Sequence, residues 1–279
     1  MFVSVVKLGG RDADELCATK CRVPSFLSLA ALRFIITPTG NKTNMPGEKN
    51  RENFFDASTG GRSDPDSAAP LHPLAPEFFL QPTEIVARRL IGCLLVHREG
   101  EQPLIARVVE TEAYLAEGDP GCHAARGRTE RNAPMFGPPG TLYVYLIYGM
   151  HLCMNIVTAE EGRPEAVLLR AAEPLMGIET MRGRRGRDRL EDLCSGPAKL
   201  TEALGITLKH NRADITCRDR SPGDLFVAGA DPAEEIAITT RIGLGEGAGD
   251  DLMLRYMIAQ SPWVSAPPRA GAPVIYEKR

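Results

Sequence analysis

The chain has 279 residues, of which 43% are hydrophobic and 25% are charged, so its composition suits a globular protein with a packed core. The formal net charge of −3 excludes a general attraction to polyanions, and any contact with nucleic acid must come from local basic patches. Because no apolar run reaches the roughly 18 residues that span a bilayer, and no signal or transit peptide is recognisable, we expect a soluble, cytoplasmic protein without membrane contacts.

Residues 1–73 are predicted to form an N-terminal extension of one folded domain that covers residues 74–279. Residues 41–76 are rich in proline, glycine, serine, asparagine and charged side chains. Such a segment cannot bury enough apolar surface to offset the entropy lost on ordering, and we expect it to be disordered. A second hypothesis is that translation begins at Met45 and that the preceding residues are an artefact of the assigned start.

From Phe78 onward the chain carries the sequence patterns of one mixed α/β domain. A helix is predicted for PTEIVARRLIG, with Thr83 as its N-cap and Gly92 as its C′ residue. Strands are predicted for CLLVHR, IARVVETEAYL, TLYVYLIYG, LCMNIVTA and EAVLLRAAE, and further helices for EPLMGIETMRGRR and GPAKLTEALGI. Because several strands precede the helices, the order favours an α+β fold with a curved, mainly antiparallel sheet packed by helices.

The cysteines and the short motifs exclude several kinds of cofactor site. Seven scattered cysteines, most of them among apolar residues, indicate reduced thiols. Cys17 and Cys21 have a spacing that could begin a metal site, but no second pair of ligands follows at a suitable spacing, and we expect no metal. The chain also lacks the dinucleotide-binding, Walker and zincin motifs.

A pair of glutamates is the first candidate for chemistry. In VVETEAY, Glu110 and Glu112 would share one face of a strand, and Tyr114 would continue that face. A strand with a solvated acidic face has the same pattern, so the pair alone leaves surface charge as the more common interpretation.

Three tyrosines follow in TLYVYLIYG. Tyr143 and Tyr145 would share a face, and cross-strand packing in the core is the favoured role for Tyr143. Tyr148 stands next to Gly149, which predicts a strand end or turn that projects the ring outward. Such a ring could be a wedge between stacked bases.

Two arginine-rich segments could supply local positive charge. The loop from residue 122 to 140 holds Arg126, Arg128 and Arg131, and RGRRGRDR adds five more arginines at residues 182–189. Runs of this kind are commonly only solvated, yet arginines mixed with glycine are also typical of a surface that contacts phosphates. His123 alone would be a structural histidine, but it follows closely after Glu112 and Tyr114.

Taken together, these residues suit an enzyme that acts on one base of duplex DNA. Such an enzyme must rotate the base out of the stack, hold it between aromatic rings and fill the gap that it leaves. Aromatic faces attract a positively charged alkylated purine. A carboxylate beside the sugar can activate water and stabilise a cationic sugar.

Most of residues 78–265 closely resembles the 3-methyladenine DNA glycosylases of the alkyladenine (methylpurine) family. The most specific matching motifs are VETEAY, PGTLYVYLIYGM and CSGPAKL, and the blocks ARRLIGCLLV, AVLLRAAEPL and SPWVS also match. The resemblance implies that residues 74–279 are the catalytic domain of such an enzyme. It covers nothing in the first 70 residues.

The resemblance also implies a role for each matching residue. Glu112 would be the general base that activates water, and Arg170 would help to hold that water and the carboxylate. The substrate-binding residues would be Tyr114, His123, Tyr145, Asn155, which rejects the guanine amino group, and Leu168, which forms an apolar wall. Tyr148 would intercalate into the DNA, and the backbone contacts would include Met150, Arg126, Arg128, Arg131 and Lys199.

The implied reaction is monofunctional hydrolysis of the N-glycosidic bond of alkylated or deaminated purines in double-stranded DNA. The family substrates are 3-methyladenine, 7-methylguanine, hypoxanthine and ethenoadenine. No cofactor is implied, and we expect a monomer that is associated with the nucleoid if the source is bacterial. Two alternatives stay open: a non-catalytic protein that binds damaged DNA, and a glycoside hydrolase that uses Glu110 and Glu112 as its acid–base pair.

Overall fold

The computed structural model describes residues 71–100, 102–217, 222–233 and 235–278. The predictions for residues 1–70, which include N-terminal disorder, a start at Met45 and the Cys17–Cys21 pair, lie outside the described residues. The extension predicted for residues 1–73 therefore stays a prediction. Of that segment, Leu71 packs against strands of the domain and Pro73 forms a β-bridge with Ala228.

Four α-helices and nine β-strands are found in the described residues. The helices are α1 (Pro76–Phe79), α2 (Thr83–Leu90), α3 (Ile178–Arg185) and α4 (Pro197–Leu204). The strands are β1 (Leu94–His97), β2 (Leu104–Tyr114), β3 (Leu142–Ile147), β4 (His151–Thr158), β5 (Glu165–Met176), β6 (Phe226–Ala228), β7 (Glu235–Thr239), β8 (Arg255–Ile258) and β9 (Ile275–Lys278). Short 3₁₀ helices lie at Ala133–Phe136, Leu190–Asp192, Leu208–His210 and Pro222–Asp224.

The strands form one sheet in the order β3-β4-β5-β2-β8-β7-β9, and β1 pairs with both β2 and β6. Every pairing is antiparallel, which confirms the predicted α+β class. Strand β2 is central, because it pairs with β5 on one side and with β1 and then β8 on the other. Register shifts interrupt the β2–β5 ladder on either side of Glu110.

The main core lies between the sheet and helices α2 and α4. Helix α2 packs on β2 and β5, and α4 packs on β4 and β5. The hydroxyl of Thr111 donates a 2.9 Å hydrogen bond to the Ala87 carbonyl of α2, which places α2 over the Thr111 face of β2. Since side chains alternate along a strand, Glu110 and Glu112 point to the opposite face.

The predicted N-cap of α2 is wrong. Thr83 is the first helical residue, Pro82 takes the N-cap position, and no side chain caps the helix. The Thr83 hydroxyl instead bonds to Thr158 at 2.7 Å and donates to Glu165 at 2.5 Å, so it ties the helix to the sheet.

The predicted end of α2 is confirmed. Gly92 has a φ of 94°, and a Cβ atom there would lie 3.0 Å from the Asp231 carbonyl oxygen. Both the backbone conformation and the close contact favour glycine at the C′ position of the helix.

One further prediction needs correction, and four strands were not predicted. The helix predicted from residue 173 begins at Ile178, because the preceding residues continue β5 and pair with β2. Strands β6–β9 were not predicted, since they are short and the segments between them are rich in glycine and proline. None of the helices within the described residues has the length and apolarity needed to cross a membrane.

Candidate active site

A cavity of about 260 Å³ opens on the face of the sheet away from α2. Strands β2, β3, β4 and β5 line it together with the loop after β2 and the segment after β7. Its lining residues are Tyr114, Gly121, His123, Met135, Tyr143, Tyr145, Ile147, Tyr148, Cys153, Asn155, Leu168, Arg170, Pro197, Ile242, Gly243 and Leu244. A mainly apolar and aromatic concavity with a few polar groups is typical of a small-molecule or single-base site.

Glu112 is completely buried and lies beneath this cavity. Its Oε1 atom accepts a 2.8 Å hydrogen bond from the backbone N–H of Ile242. Its Oε2 atom accepts one from Arg170 Nη1 at 3.1 Å and one from the Tyr114 hydroxyl at 2.9 Å. All three donor residues line the cavity, so the carboxylate is held directly under its wall.

Glu110 is also completely buried and shares Arg170 with Glu112, as expected for glutamates on one face. Its Oε1 atom accepts from Arg170 Nε at 2.9 Å, from Arg255 Nε at 2.8 Å and from the Ser265 hydroxyl at 2.8 Å. Its Oε2 atom accepts from the Ser265 N–H at 2.5 Å. Glu110 therefore fixes Arg170 and ties the C-terminal segment to the sheet.

Arg170 keeps its charge between the two carboxylates. Burial opposes that charge, but Glu112 and Glu110 outweigh the desolvation and raise the pKa of the guanidinium. Arg170 is 8% exposed and lines the cavity, so its charge reaches both the carboxylates and the cavity wall.

The aromatic walls come from the loop after β2 and from the β3–β4 hairpin. Tyr143 and Tyr145 are stacked with ring centroids 4.9 Å apart, and His123 meets Tyr145 edge-on at 4.6 Å. The Nδ1 atom of His123 and the Tyr143 hydroxyl share a 3.0 Å hydrogen bond. Tyr143 is 1% exposed and also takes the packing role expected for it.

Desolvation and nearby charges set the protonation of Tyr114 and His123. Burial and the nearby Glu112 carboxylate raise the pKa of Tyr114 well above its ordinary value, so the phenol keeps the proton that it donates to Glu112. Desolvation and the charge on Arg131 lower the pKa of His123, which favours a neutral imidazole. The imidazole of His123 therefore adds little positive charge to the cavity wall.

Asn155 and Leu168 are directly opposite each other on β4 and β5 and line the cavity side by side. Asn155 is 5% exposed, and its Nδ2 atom donates a 3.2 Å hydrogen bond to the Tyr143 carbonyl oxygen across the β3–β4 pair. This bond fixes the amide, so Asn155 presents a polar group of set orientation to the cavity beside an apolar neighbour.

The turn between β3 and β4 carries two exposed side chains. Tyr148 is 87% exposed and has a φ of 52°, which is uncommon for a residue other than glycine. Met150 is 72% exposed. The turn thus projects an aromatic ring at the rim of the cavity and, two residues later, a flexible apolar side chain that does not line the cavity.

The two arginine-rich segments differ in their surroundings. Arg126, Arg128 and Arg131 are exposed, and no carboxylate within the described residues forms an ion pair with them. Arg131 lies over the Tyr145 ring, with its guanidinium carbon 5.3 Å from the centroid, and donates to the Leu146 carbonyl at 2.7 Å. The segment is therefore held against the cavity wall with its charge uncompensated.

The arginines at residues 182–189 are mostly paired with carboxylates. The pairs are Arg182–Glu179, Arg184–Glu99, Arg185–Glu202 and Arg189–Glu191. Such pairs indicate that this segment acts mainly within the protein, and its contact with phosphates stays a prediction. Lys199 lies on α4, and its Nζ atom donates to the Ser195 hydroxyl at 3.2 Å.

The cavity wall formed by the segment after β7 was not predicted from the sequence. Ile242, Gly243 and Leu244 line the cavity, and the Ile242 N–H binds Glu112. The only signal for this wall in the sequence is the glycine-rich stretch IGLGEGAG, since a backbone donor leaves no mark on residue type.

Comparison with known proteins shows the family of the chain. The family model described as Methylpurine-DNA glycosylase (MPG) matches residues 77–262. A relative from Methanoculleus marisnigri is 50% identical over 193 residues, which are 67% of this chain and 96% of the relative. A relative from Carboxydothermus hydrogenoformans is 46% identical over 191 residues, which are 68% of this chain and 96% of the relative. Both carry the name "Putative 3-methyladenine DNA glycosylase". With more than half of its length matched by the family model, the chain belongs to the methylpurine-DNA glycosylase family.

Proposed function

We propose that this DNA glycosylase rotates alkylated or deaminated purines out of duplex DNA and hydrolyses the N-glycosidic bond without a lyase step. Its substrates would be 3-methyladenine, 7-methylguanine, hypoxanthine and ethenoadenine, and its product an abasic site. One observation carries the proposal: a buried carboxylate, Glu112, lies beneath a cavity whose walls include Tyr114, His123 and Tyr145.

The contacts of Glu112 support its role as the general base. A carboxylate has about four acceptor sites, and Arg170, Tyr114 and the Ile242 N–H occupy three of them. The remaining site can accept a hydrogen bond from a water molecule. Because Arg170 also lines the cavity, its guanidinium can help to hold that water while Glu112 takes the proton. The same negative charge would stabilise the cationic sugar as the bond to the base breaks.

The aromatic walls support recognition of one extruded purine. The Tyr145 and His123 rings and the Tyr114 ring offer faces and edges for stacking within one cavity. A neutral His123 avoids charge repulsion with a cationic alkylated base. Asn155 offers a fixed amide that can reject the guanine amino group, and Leu168 closes the wall beside it.

The exposed turn supports the binding of duplex DNA. An inserted side chain that replaces a flipped nucleotide must stand clear of the protein surface, as the Tyr148 ring does. Met150 would contact the groove beside it. Arg126 and Arg128 are exposed cations that can meet phosphates, and Arg131 and Lys199 would add further backbone contacts.

The site favours hydrolysis over lyase chemistry. A lyase needs an amine that forms a Schiff base with the sugar. Lys199 is the one lysine in the motif near the site, and its Nζ atom is engaged with Ser195. We assign it to the DNA backbone and not to the reaction.

The contacts of Glu110 argue against a glycoside hydrolase. Its two oxygens accept four hydrogen bonds from Arg170, Arg255 and Ser265, and of these three residues only Arg170 lines the cavity, whereas all three donors to Glu112 line it. Without a second available carboxylate, the acid–base pair of that alternative is incomplete.

The proposal is tested by incubating the enzyme with duplexes that carry one hypoxanthine or one ethenoadenine, followed by alkaline cleavage. We expect strand cleavage at the lesion only after alkali, because hydrolysis leaves an intact abasic site. An undamaged duplex of the same sequence is the control. Cleavage before alkali would indicate a lyase, and tight binding without base release would indicate a protein that only binds damage.

A further inference from the structure

A buried ion pair joins the two chain segments that hold the cavity together. Arg241 and Asp119 are both inaccessible to solvent in their side chains. Arg241 donates from Nη1 to Asp119 Oδ2 at 2.7 Å and from Nη2 to Asp119 Oδ1 at 2.5 Å. This is the bidentate geometry in which an arginine fixes a carboxylate most firmly.

The guanidinium of Arg241 also binds two backbone carbonyls. It donates to Ala113 of β2 at 3.0 Å and to Gly249 at 3.2 Å. Asp119 in turn accepts from the backbone N–H groups of Leu115 and Gly121, each at 3.0 Å. One ion pair therefore ties together the end of β2, the loop that follows it, and the glycine-rich segment after β7.

Two glycines allow this close packing. A Cβ atom on Gly249, where φ is 74°, would lie 2.7 Å from Arg241 Nη2 and 3.1 Å from Asp119 Oδ1. A Cβ atom on Gly121 would lie 3.1 Å from the same Nη2 atom. Glycine is therefore required at position 249, because a larger residue there would push the segment after β7 away from the ion pair.

The ion pair is adjacent to the groups that orient Glu112. Ile242 follows Arg241 in the chain, and its N–H binds Glu112 Oε1 at 2.8 Å. The Arg241 guanidinium carbon lies 4.5 Å from the centroid of the Tyr114 ring, whose hydroxyl binds Glu112 Oε2. Arg241 therefore fixes two of the three donors to the carboxylate without touching the carboxylate or the cavity contents.

We infer that Arg241 and Asp119 are positioning residues, a clamp that holds the Ile242 N–H and the Tyr114 ring in place for Glu112. The inference rests on the proposed role of Glu112 as the base. Small displacements of a catalytic group reduce rates steeply, by about 100-fold for 1 Å. Loss of the clamp should therefore reduce base release far more than it reduces binding of DNA.

The test uses Arg241→Gln, Asp119→Asn and the double variant. Each single variant leaves one buried charge unpaired and should unfold more easily. The double variant leaves two neutral groups that can bond to each other, and we expect it to regain much of the lost stability. It should nonetheless release base about 100-fold more slowly than the parent in single turnover. Its affinity for a duplex that contains a tetrahydrofuran abasic analogue should be nearly unchanged.

A second readout is independent of activity. Hydrogen exchange at the Ile242 amide should become faster in the double variant, whereas exchange at the buried Val108 amide, which donates to the Cys93 carbonyl next to β1, should stay slow. Leu95→Ala is the matched control, because Leu95 is a core residue 2% exposed in β1 and its loss lowers stability without touching the clamp.

A double variant whose Ile242 amide exchanges as slowly as that of the parent would overturn the inference. So would a Leu95→Ala enzyme that loses base release to the same extent, since a general loss of stability would then explain the effect. The Arg241→Lys variant should also release base more slowly than the parent, because an ammonium group cannot form the bidentate pair and both carbonyl bonds at once. If the parent itself releases no base, the proposed function fails, and exchange at Ile242 still decides whether the clamp exists.

Discussion

The floor of the cavity and the β3–β4 turn differ in how their polar and aromatic groups are held. On the floor, Glu110, Glu112 and Arg170 are buried, and each is fixed by named partners. At the turn, Tyr148 and Met150 are mostly exposed. The floor holds its charged groups in fixed positions, and the turn exposes side chains that can contact another molecule. Changes on the floor should therefore alter chemistry and stability, and changes at the turn should alter binding.

The largest effect is expected for Glu112→Gln. Removal of a general base typically costs about 10²- to 10⁴-fold in rate, and the amide is close in size to the carboxylate. Single-turnover base release should fall by this factor, while binding to a lesion duplex stays nearly unchanged. A Glu112→Gln enzyme as active as the parent would show that Glu112 is not the general base. The assignment of the chemistry to the buried residues and of binding to the turn would then fail.

Glu110→Gln should act mainly on stability. It removes the carboxylate that binds Arg255 and Arg170, and breaking a buried ion pair on one side typically costs about 3–5 kcal/mol. Urea unfolding measures this loss directly. A variant that keeps the stability of the parent but releases no base would shift the catalytic role from Glu112 to its neighbour.

Tyr148→Ala tests the other side of the comparison. Stacking of one ring on bases is typically worth about 1–3 kcal/mol, and only a duplex leaves a gap for the ring to fill. Titration should show weaker binding to a lesion duplex and little change for the single strand. Equal losses for both substrates would contradict the wedge role. Leu208→Ala is a matched control, since Leu208 is also an exposed apolar residue, 56% accessible, but does not line the cavity.

The pH dependence of DNA binding should differ between duplexes with a cationic damaged purine and duplexes with a neutral one. Because the pKa of His123 is lowered from its ordinary 6.5, the imidazole stays neutral to lower pH and becomes charged as pH falls through the lowered value. A duplex with cationic 7-methylguanine should then bind about fivefold more weakly, which is the effect of ~1 kcal/mol between charges about 4 Å apart in water. The affinities are measured with the Glu112→Gln variant, so that the base is not released during the titration. The loss of affinity at low pH should be smaller for a hypoxanthine duplex, and it should be absent when His123→Phe is added.

The smallest effect on DNA binding is expected when a single arginine is replaced. Removing one phosphate contact lowers the slope of log affinity against log salt by about 0.9. Arg126→Ala should show this change in titrations at several salt concentrations, and Arg182→Ala, whose side chain pairs with Glu179, should not. The reverse result would assign the DNA contact to the segment at residues 182–189.

The sequence predicted the parts of the molecule that depend on residue type and period. The five strands from CLLVHR to EAVLLRAAE and the shared face of Glu110 and Glu112 follow from β-branched residues and a period of two. The family motifs then named side chains that the structure brings together around one cavity.

The parts that were not predicted depend on contacts between distant segments. Thr83 was assigned as a helix cap because threonine often caps, but Thr158 and Glu165 compete for its hydroxyl. The Ile242 N–H is a backbone donor that any residue could supply. Arg241 and Asp119 are more than a hundred residues apart, and neither belongs to a recognisable motif.

The position of β2 in the middle of the sheet has a consequence for how the enzyme comes apart. A strand with neighbours on both sides is released only when the surrounding sheet opens, whereas an exposed turn such as the one that carries Tyr148 and Met150 can move alone. The two glutamates should therefore belong to the last cooperative unit to unfold. The exposed turn that carries Tyr148 can move on a faster timescale, which would let it adapt to successive stretches of DNA while the catalytic strand stays rigid.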